Sequence, residues 1–471
     1  MGRIALALIL AGAIGIRLFH LGFGLPALND PDEPLFVMNA LDMLRERRLD
    51  PQWFGHPATT LFYALDLIFV IVGVVGGWLG RWHGADGYMA ALFADPGVAI
   101  LPMRLFIVAC AAITIWQTCR IGMRGANQRT GLIAALLLAC SCGHAELSQV
   151  IRSDILACVF MLWSTAQALE IGRTGRPRAY LLAGLAAGVG AATKWPAILI
   201  LGNAAGPALL RAWQGRAEGR SLKPGLSALM LLPALPAAAV LGLLVASPYV
   251  VLDFPAVLRD LHAEARPVHP GGSGSGFAGN LAWYVRNSFA GSFGVLGLGF
   301  AALGFASALR DRWPLGGVTF PGSVLLLSAL SAQSLRWERW MVPVFPFVAL
   351  YAAIGIDALA SSFSSRFRPL AVALLVAATA LPMLVPTFTA LRMRANDTRQ
   401  IASAWVRAHV PAGASILIED AAFDLLDRRG KLLFPLGNAG CVDVRDMLRA
   451  RPAYRRIGAM RQGRAIVDLG H

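Results

Sequence analysis

Charge is scarce in this chain: only 15% of its 471 residues are Asp, Glu, Lys or Arg, against roughly 25% in soluble domains. With 56% of residues hydrophobic, intrinsic disorder is excluded, because ample apolar surface is available for burial. The same balance disfavours an ordinary cytosolic enzyme. Lysine is scarcer still, with Lys194, Lys223 and Lys431 the only three among 42 basic residues. Cysteine is sparse and unpatterned. Six are present, none at metal or disulfide-framework spacing, and Cys140-Ser-Cys142 is the one close pair, so buried thiols are expected. No internal repeat is visible.

What is abundant is apolar sequence in long runs, separated by short Arg-rich breaks. That is the pattern of a polytopic helical membrane protein. The net charge of +15 then belongs to loops that orient the spans rather than to a nucleic-acid surface. Eleven spans are expected, at 4–22, 101–119, 130–145, 155–171, 180–194, 196–210, 226–246, 289–309, 318–334, 340–359 and 369–389. Arg3 precedes the apolar run Ile4 to Ile16, no small-x-small cleavage site follows, and the first span therefore reads as uncleaved. Basic loops around Arg120–Arg129, Arg173–Arg178, Arg211–Lys223, Arg310–Arg312 and Arg366–Arg368 alternate with less basic ones, which places the former in the cytoplasm.

Three segments depart from simple spans. Residues 57–79 are apolar enough to cross, but a crossing would put residues 23–56 and 146–154 on opposite sides. A membrane-embedded or re-entrant element is expected, with a true crossing as the alternative and Asp66 favouring a protein-facing or interfacial position. Residues 33–48 form an amphipathic helix for the interface, with Pro34 in its first turn and Val37, Ala40, Leu41 and Leu44 on one face. Residues 247–288 are the longest internal polar stretch, and the Gly/Ser run between His269 and Phe277 is either a lid or a linker. The organisation is thus a transmembrane domain, 1–389, with outer loops 23–100 and 247–288, and a small soluble α/β domain, 390–471. In the latter, Thr398 to His409 has helical spacing, and Ala414 to Ile418, Lys431 to Phe434 and Ala465 to Leu469 read as strands.

Chemistry-bearing residues gather at the outer span ends. Asn29-Asp-Pro-Asp-Glu-Pro34 places three carboxylates just past span 1. They can take a proton from a hydroxyl, bind a hard cation, or merely begin a helix. Arg152-Ser-Asp154 opens another span, and a simple ion pair between its two charges is the structural alternative. Thr193-Lys-Trp-Pro196 sets a lone Lys at the outer surface, where a phosphate partner or snorkelling explains it. His56-Pro57, with His262 and His269, can complete a metal site beside carboxylates. Arg336-Trp-Glu-Arg339 suits anion binding or interfacial anchoring.

In this order, Pro-Asp-Glu, His-Pro, Arg-Ser-Asp, Thr-Lys-Trp and Ser247-Pro-Tyr-Val-Val-Leu-Asp253 resemble the GT-C membrane glycosyltransferases of the protein O-mannosyltransferase and aminoarabinose transferase superfamily (glycosyltransferase family 39 and its kin). The tail resembles theirs too, in Asn396-Asp-Thr-Arg399, Ala404-Trp405 and Val410-Pro-Ala-Gly413. The resemblance implies an all-α polytopic bundle of GT-C type with a small periplasmic α/β domain. It implies an inverting glycosyltransferase that moves a sugar from a polyprenyl-phosphate donor to a hydroxyl acceptor on a protein, lipid or glycan. Asp32 is then the base, with Glu33 beside it to orient it or bind metal, and Asp154 is the second acidic position. Arg152, Lys194, Tyr249, Arg336 and Arg339 are the expected substrate-binding residues. One departure is that Gly55-His-Pro57 stands where aminoarabinose transferases have Glu-Lys-Pro. A divalent metal would then rest on His56 and His269. The expected partners are a lipid-linked sugar donor, membrane lipids and an acceptor, with no nucleic acid, in a bacterial inner membrane with the active site and C-terminus periplasmic. A transporter or flippase of a lipid-linked substrate is the alternative. Such proteins carry their ionisable groups near the bilayer midplane, whereas the acids here lie beyond span ends.

Overall fold

The computed structural model describes residues 2–446, except 28, 218–227, 266, 270, 311–312, 419–422, 426–427, 436–439 and 445. The expected strand at 465–469 lies outside the described residues. Among those described, seven helices are long and apolar enough to cross a membrane, and others in the bundle are shorter. The chain is a multi-pass, predominantly helical membrane protein. Residues 57–79 form one continuous 20-residue helix, Thr59–Trp78, which is itself long and apolar enough to cross.

Two compact units are built from non-consecutive stretches: residues 1–18, 50–61 and 107–389 in one, and 19–49, 62–106 and 390–471 in the other. The larger unit is a helical bundle. In chain order the first helices are α1 (Gly2–Leu18), α2 (Glu33–Glu46), α3 (Thr59–Trp78), α4 (Gly84–Ala94) and α5 (Gly97–Gly125), and in the larger unit α6 (Gln128–Cys140), α7 (Cys142–Leu147), α8 (Ser153–Thr174) and α9 (Pro177–Thr193) follow. Small residues let helices approach closely. A Cβ on Gly188 of α9 would lie 1.9 Å from the Ala239 carbonyl oxygen, and one on Gly242 would lie 2.4 Å from that of Leu185. Helix Ala234–Ala246 therefore packs backbone to backbone on α9. Helices Ala290–Arg310 and Phe345–Ala360 do the same at Gly304, where a Cβ would meet the Tyr351 carbonyl at 1.8 Å.

The α6–α7 break is closed by a buried arginine. Arg17 is fully buried, and its guanidinium donates to the carbonyls of Ala13 (3.0 Å) and Ala139 (3.1 Å) and to Ser148 Oγ (3.2 Å). A fourth bond, 2.7 Å, goes to His144 Nδ1. Because a guanidinium only donates, Nδ1 must accept and the ring proton sits on Nε2. That proton faces Thr114 Oγ1 at 3.0 Å, and Thr114 donates on to the Ala111 carbonyl. The Ala139 carbonyl, freed by the helix break, thus finds a donor within the protein, as the bilayer requires.

The polar stretch 247–288 is largely structured. Helices Phe254–Glu264 and Gly276–Trp283 lie within it. Its Gly/Ser run is tied to residues 331–336: Gly274 N–H donates to the Ser334 carbonyl and Arg336 N–H to the Gly272 carbonyl, both at 2.7 Å. Asn280 donates to the carbonyls of Ser331 and Gln333 and accepts from Ser275 N–H. These bonds supply the order that the composition by itself withholds.

In the smaller unit, the amphipathic helix is α2 (Glu33–Glu46), buried along Phe36, Val37, Ala40, Leu41 and Met43. It ends at Arg47, whose left-handed backbone (φ 53°) closes the last turn. The C-terminal part carries helix Thr398–His409 and three short strands: β1 (Ile416–Leu417), β2 (Leu432–Pro435) and β3 (Cys441–Asp443). β1 runs parallel to β2, pairing Ile416 with Leu432, and β2 runs antiparallel to β3. Ile418, Leu425, Leu432 and Val444 form its small core.

Candidate functional site

In the larger unit, α8 and α9 are antiparallel and joined at one end, so the start of α8 and the finish of α9 lie together at the other. Asp154 sits in the first turn of α8, and Lys194 is the residue that ends α9. Each charge complements the dipole of its own helix end. Lys194 has extended backbone (φ −158°), and Pro196 prevents the helix from continuing. The two side chains form a buried ion pair, Lys194 Nζ donating to Asp154 Oδ1. Lys194 is only 8% exposed, so it does not snorkel into water. Asp154 thus has a partner forty residues away besides the electrostatic influence of its neighbour Arg152.

Arg152, buried, and Arg339 both act electrostatically on Asp154 and on Lys194. Lys194 and two arginines thus act on this carboxylate, and cationic groups held in a partly dry site favour an anion. His56 faces the same four groups. Its ring is half-buried with an edge on Trp53 at 5.7 Å. Desolvation first, then Lys194, hold its pKa down to about 3, against the opposing effect of Asp154.

The wall bearing His56 is stitched in place. Ala58 N–H donates to the Thr193 carbonyl (3.1 Å), Thr60 and Thr193 hydroxyls bond at 2.6 Å, and Trp195 Nε1 donates to the Phe54 carbonyl (3.0 Å). Phe54 N–H donates to Asp260 Oδ2 at 2.7 Å, and Arg259 bridges Asp260 and the Gln52 carbonyl. Tyr249 packs against the apolar cluster of Phe54, Val250, Ala256 and Val257. Arg336 lies over the Trp283 ring (5.0 Å) and donates to Ser275 Oγ (2.9 Å). His269 lies edge-on to Trp337 at 5.2 Å. The structure therefore gathers Asp154, Lys194, Arg152, Arg339 and His56, and engages Tyr249, Arg336 and His269 in packing.

A wild-type signature follows from His56. Its neutral form is favoured when folded, while the unfolded ring titrates near 6.5. The unfolded chain then binds more protons below that pH, so stability falls as pH drops from about 6.5 toward 3 and is level above. Between pH 7 and pH 5 the loss amounts to about 2 kcal/mol. Tm measured at both pH values should drop more for wild type than for His56→Gln, and equal drops would refute the assignment.

In the smaller unit the acidic loop is equally well held. Glu33 and Arg104 are both fully buried and joined by two bonds, Nε to Oε1 (2.9 Å) and the terminal nitrogen to Oε2 (2.6 Å). Arg104 also donates to the carbonyls of Leu21 and Phe23 and lies 3.9 Å from the Phe23 ring centroid. Arg399 donates to the Asn29 carbonyl and Gln400 to Asn29 Oδ1, so the tail motif Asn396–Arg399 anchors the loop's start. Asp32 is the N-cap residue of α2, half-buried, and its side chain makes no capping bond. Sequence reasoning missed Arg104. Its signal was a lone charge inside the apolar run 98–115, which demands a buried partner.

Among the described residues no group of three His, Cys, Asp or Glu side chains is arranged to hold a metal. The donor set at His56 also fits poorly, because Lys194, Arg339 and Arg152 face it with a single carboxylate.

Residues 86–250, about a third of the chain, match the family model of dolichyl-phosphate-mannose-protein mannosyltransferase. That stretch contains Arg152, Asp154, Lys194 and Tyr249. No curated protein matches the sequence. Among solved structures, ArnT from Cupriavidus metallidurans bound to undecaprenyl phosphate is 13% identical with a TM-score of 0.57, over 95% of this chain and 88% of that one. The oligosaccharyltransferase AglB from Archaeoglobus fulgidus, in complex with an inhibitory peptide and a dolichol-phosphate, is 13% identical with a TM-score of 0.52, over 87% of this chain. The same protein's complex with Zn and sulfate is 14% identical, with a TM-score of 0.52 over 86% of this chain and 55% of that one. The chain spans 58% of the length of the archaeal protein in its apo and peptide-bound structures. The fold is that of the GT-C glycosyltransferase superfamily, a class of polytopic membrane proteins, and the family-model match agrees with it.

Proposed function

We propose that this protein is an inverting glycosyltransferase that moves a sugar from a polyprenyl phosphate to a hydroxyl acceptor, at the periplasmic face of a bacterial inner membrane. The observation that carries the reading is the buried Lys194–Asp154 pair with Arg152 and Arg339 around it. A lipid phosphate is the anion that suits such a cluster in a membrane protein. ArnT is bound to undecaprenyl phosphate and AglB to a dolichol-phosphate, which supports the same ligand class here.

In the proposed step Asp32 takes the acceptor's hydroxyl proton. The oxygen attacks the anomeric carbon, and the bond from that carbon to the phosphate oxygen breaks. The polyprenyl phosphate leaves with the electron pair. Its growing negative charge is met by Lys194, Arg152 and Arg339, already fixed in a water-poor setting, which is where such stabilisation is greatest. His56 in its neutral state can donate one hydrogen bond to a phosphate oxygen. Glu33 acts as a positioning residue: its pair with Arg104 fixes the first turn of α2 and with it Asp32.

The test is transfer by purified protein in liposomes, using a panel of radiolabelled polyprenyl-phosphate sugars and a membrane extract as acceptor. The proposal expects release of polyprenyl phosphate with label passing to the extract. Labelled lipid that crosses the bilayer with its sugar bond intact would overturn it in favour of transport.

A further inference from the structure

A second charged constellation lies at the opposite end of the bundle. Helix Phe345–Ala360 begins directly after the turn Glu338–Val344, which carries Arg339, and runs sixteen residues, about 24 Å, away from it. In its last turn is Asp357, and beside Asp357 opens a cavity of about 680 Å³. That volume is within the range of small-molecule sites.

The floor of the cavity is built from bonded groups. Asn127 caps α6 by accepting from Thr130 N–H, and with its amide nitrogen donates to Asp357 Oδ2 at 2.9 Å. Arg129 Nη1 donates to Asp357 Oδ1 at 3.3 Å. Arg368, on the next helix, lines the other side. It donates to the Ser361 carbonyl (3.3 Å), while its Nε is buried with no hydrogen-bond partner. Two guanidinium groups and one carboxylate leave the cavity a net positive charge, which favours an anion.

Leu132 and Ile133 line the cavity beside the charged groups. Leu359, Phe363, Phe367 and Leu370, neighbours in sequence of Ser361 and Arg368, are large and exposed. A cationic cavity with an apolar wall, at the end of the bundle that carries the Arg-rich loops, matches a phosphate joined to acyl chains better than a free ion. We propose that the cavity binds a phosphate group, supplied by an anionic phospholipid of the cytoplasmic leaflet, and that Arg129 and Arg368 hold it. This site is separate from the one that carries the proposed transfer.

The experiment is native mass spectrometry of the full-length protein in detergent with phosphatidylglycerol or phosphatidylcholine. The wild type should retain more phosphatidylglycerol. Arg368→Gln should lower that retention about fivefold, the worth of one cation at a lipid surface. Leu132→Trp, which fills the cavity without altering charge, should lower it at least as much. Arg366→Gln serves as the control, because that guanidinium lies over the Phe367 ring, and should retain wild-type binding. Unchanged phosphatidylglycerol retention in both Arg368→Gln and Leu132→Trp overturns the proposal. If millimolar inorganic phosphate displaces the lipid completely, the phosphate chemistry stands and the lipid source is overturned.

Discussion

Asp32→Asn is expected to slow sugar transfer by about 10²- to 10⁴-fold, the usual contribution of a general base. Its polyprenyl-phosphate retention and Tm should stay close to wild type. The reason lies in how the acidic loop is built. Asp32 begins α2, yet its side chain makes no capping bond, so α2 loses little when the charge goes. Glu33 cannot take over the proton, because both its oxygens are engaged by Arg104 in a fully buried pair. The neighbouring substitution separates the two roles. Glu33→Gln leaves Arg104 buried without its counter-charge, a defect of about 3–5 kcal/mol, and should lower Tm as well as rate. Loss of rate at unchanged Tm marks chemistry, and loss of both marks positioning. Should Asp32→Asn transfer sugar at the wild-type rate, another group must take the proton.

Part of the fold is legible in the sequence itself, and what is not has a physical cause. The helix at 33–48 showed itself because Val37, Ala40 and Leu41 recur at helical spacing, and all three are buried. The tail helix and the first two strands were visible for similar local reasons. Composition marked the apolar segments as spans, yet apolar residues alone do not set helix ends, which Pro, Gly and packing decide. Pairings across the fold were the hardest. Arg152 and Asp154 are two residues apart and suggest each other, whereas Lys194 comes near only because α8 and α9 fold back as a hairpin. Compact units assembled from stretches as far apart as 19–49 and 390–471 leave no composition boundary to read. The Gly/Ser run after His269 reads as loose by composition, and becomes ordered through bonds to residues 331–336 that no local pattern announces.

The Lys194–Asp154 pair should respond to substitution in opposite senses at its two ends. Lys194→Met leaves Asp154 buried, and breaking such a pair costs about 3–5 kcal/mol. Arg152 and Arg339 still act on that carboxylate, so the loss belongs at the lower end. The site also loses a cation, and a polyprenyl phosphate should raise the Tm of this variant less than that of wild type. Asp154→Asn removes the carboxylate that all three cations face. With no ligand present their mutual repulsion is unrelieved, and Tm should fall. An anionic lipid then relieves it, so added polyprenyl phosphate should raise the Tm of this variant more than that of wild type, since ligand stabilisation follows affinity for the folded state. The double variant Asp154→Asn/Lys194→Met carries neither buried charge of the pair and should recover stability over Lys194→Met without recovering transfer. A carboxylate that acts as catalyst rather than as counter-ion would show the reverse balance, with transfer abolished and lipid-induced stabilisation unchanged in Asp154→Asn. Thermal unfolding with and without undecaprenyl phosphate distinguishes the two, because a counter-ion that yields its place to the phosphate must weaken binding, and its removal must strengthen it.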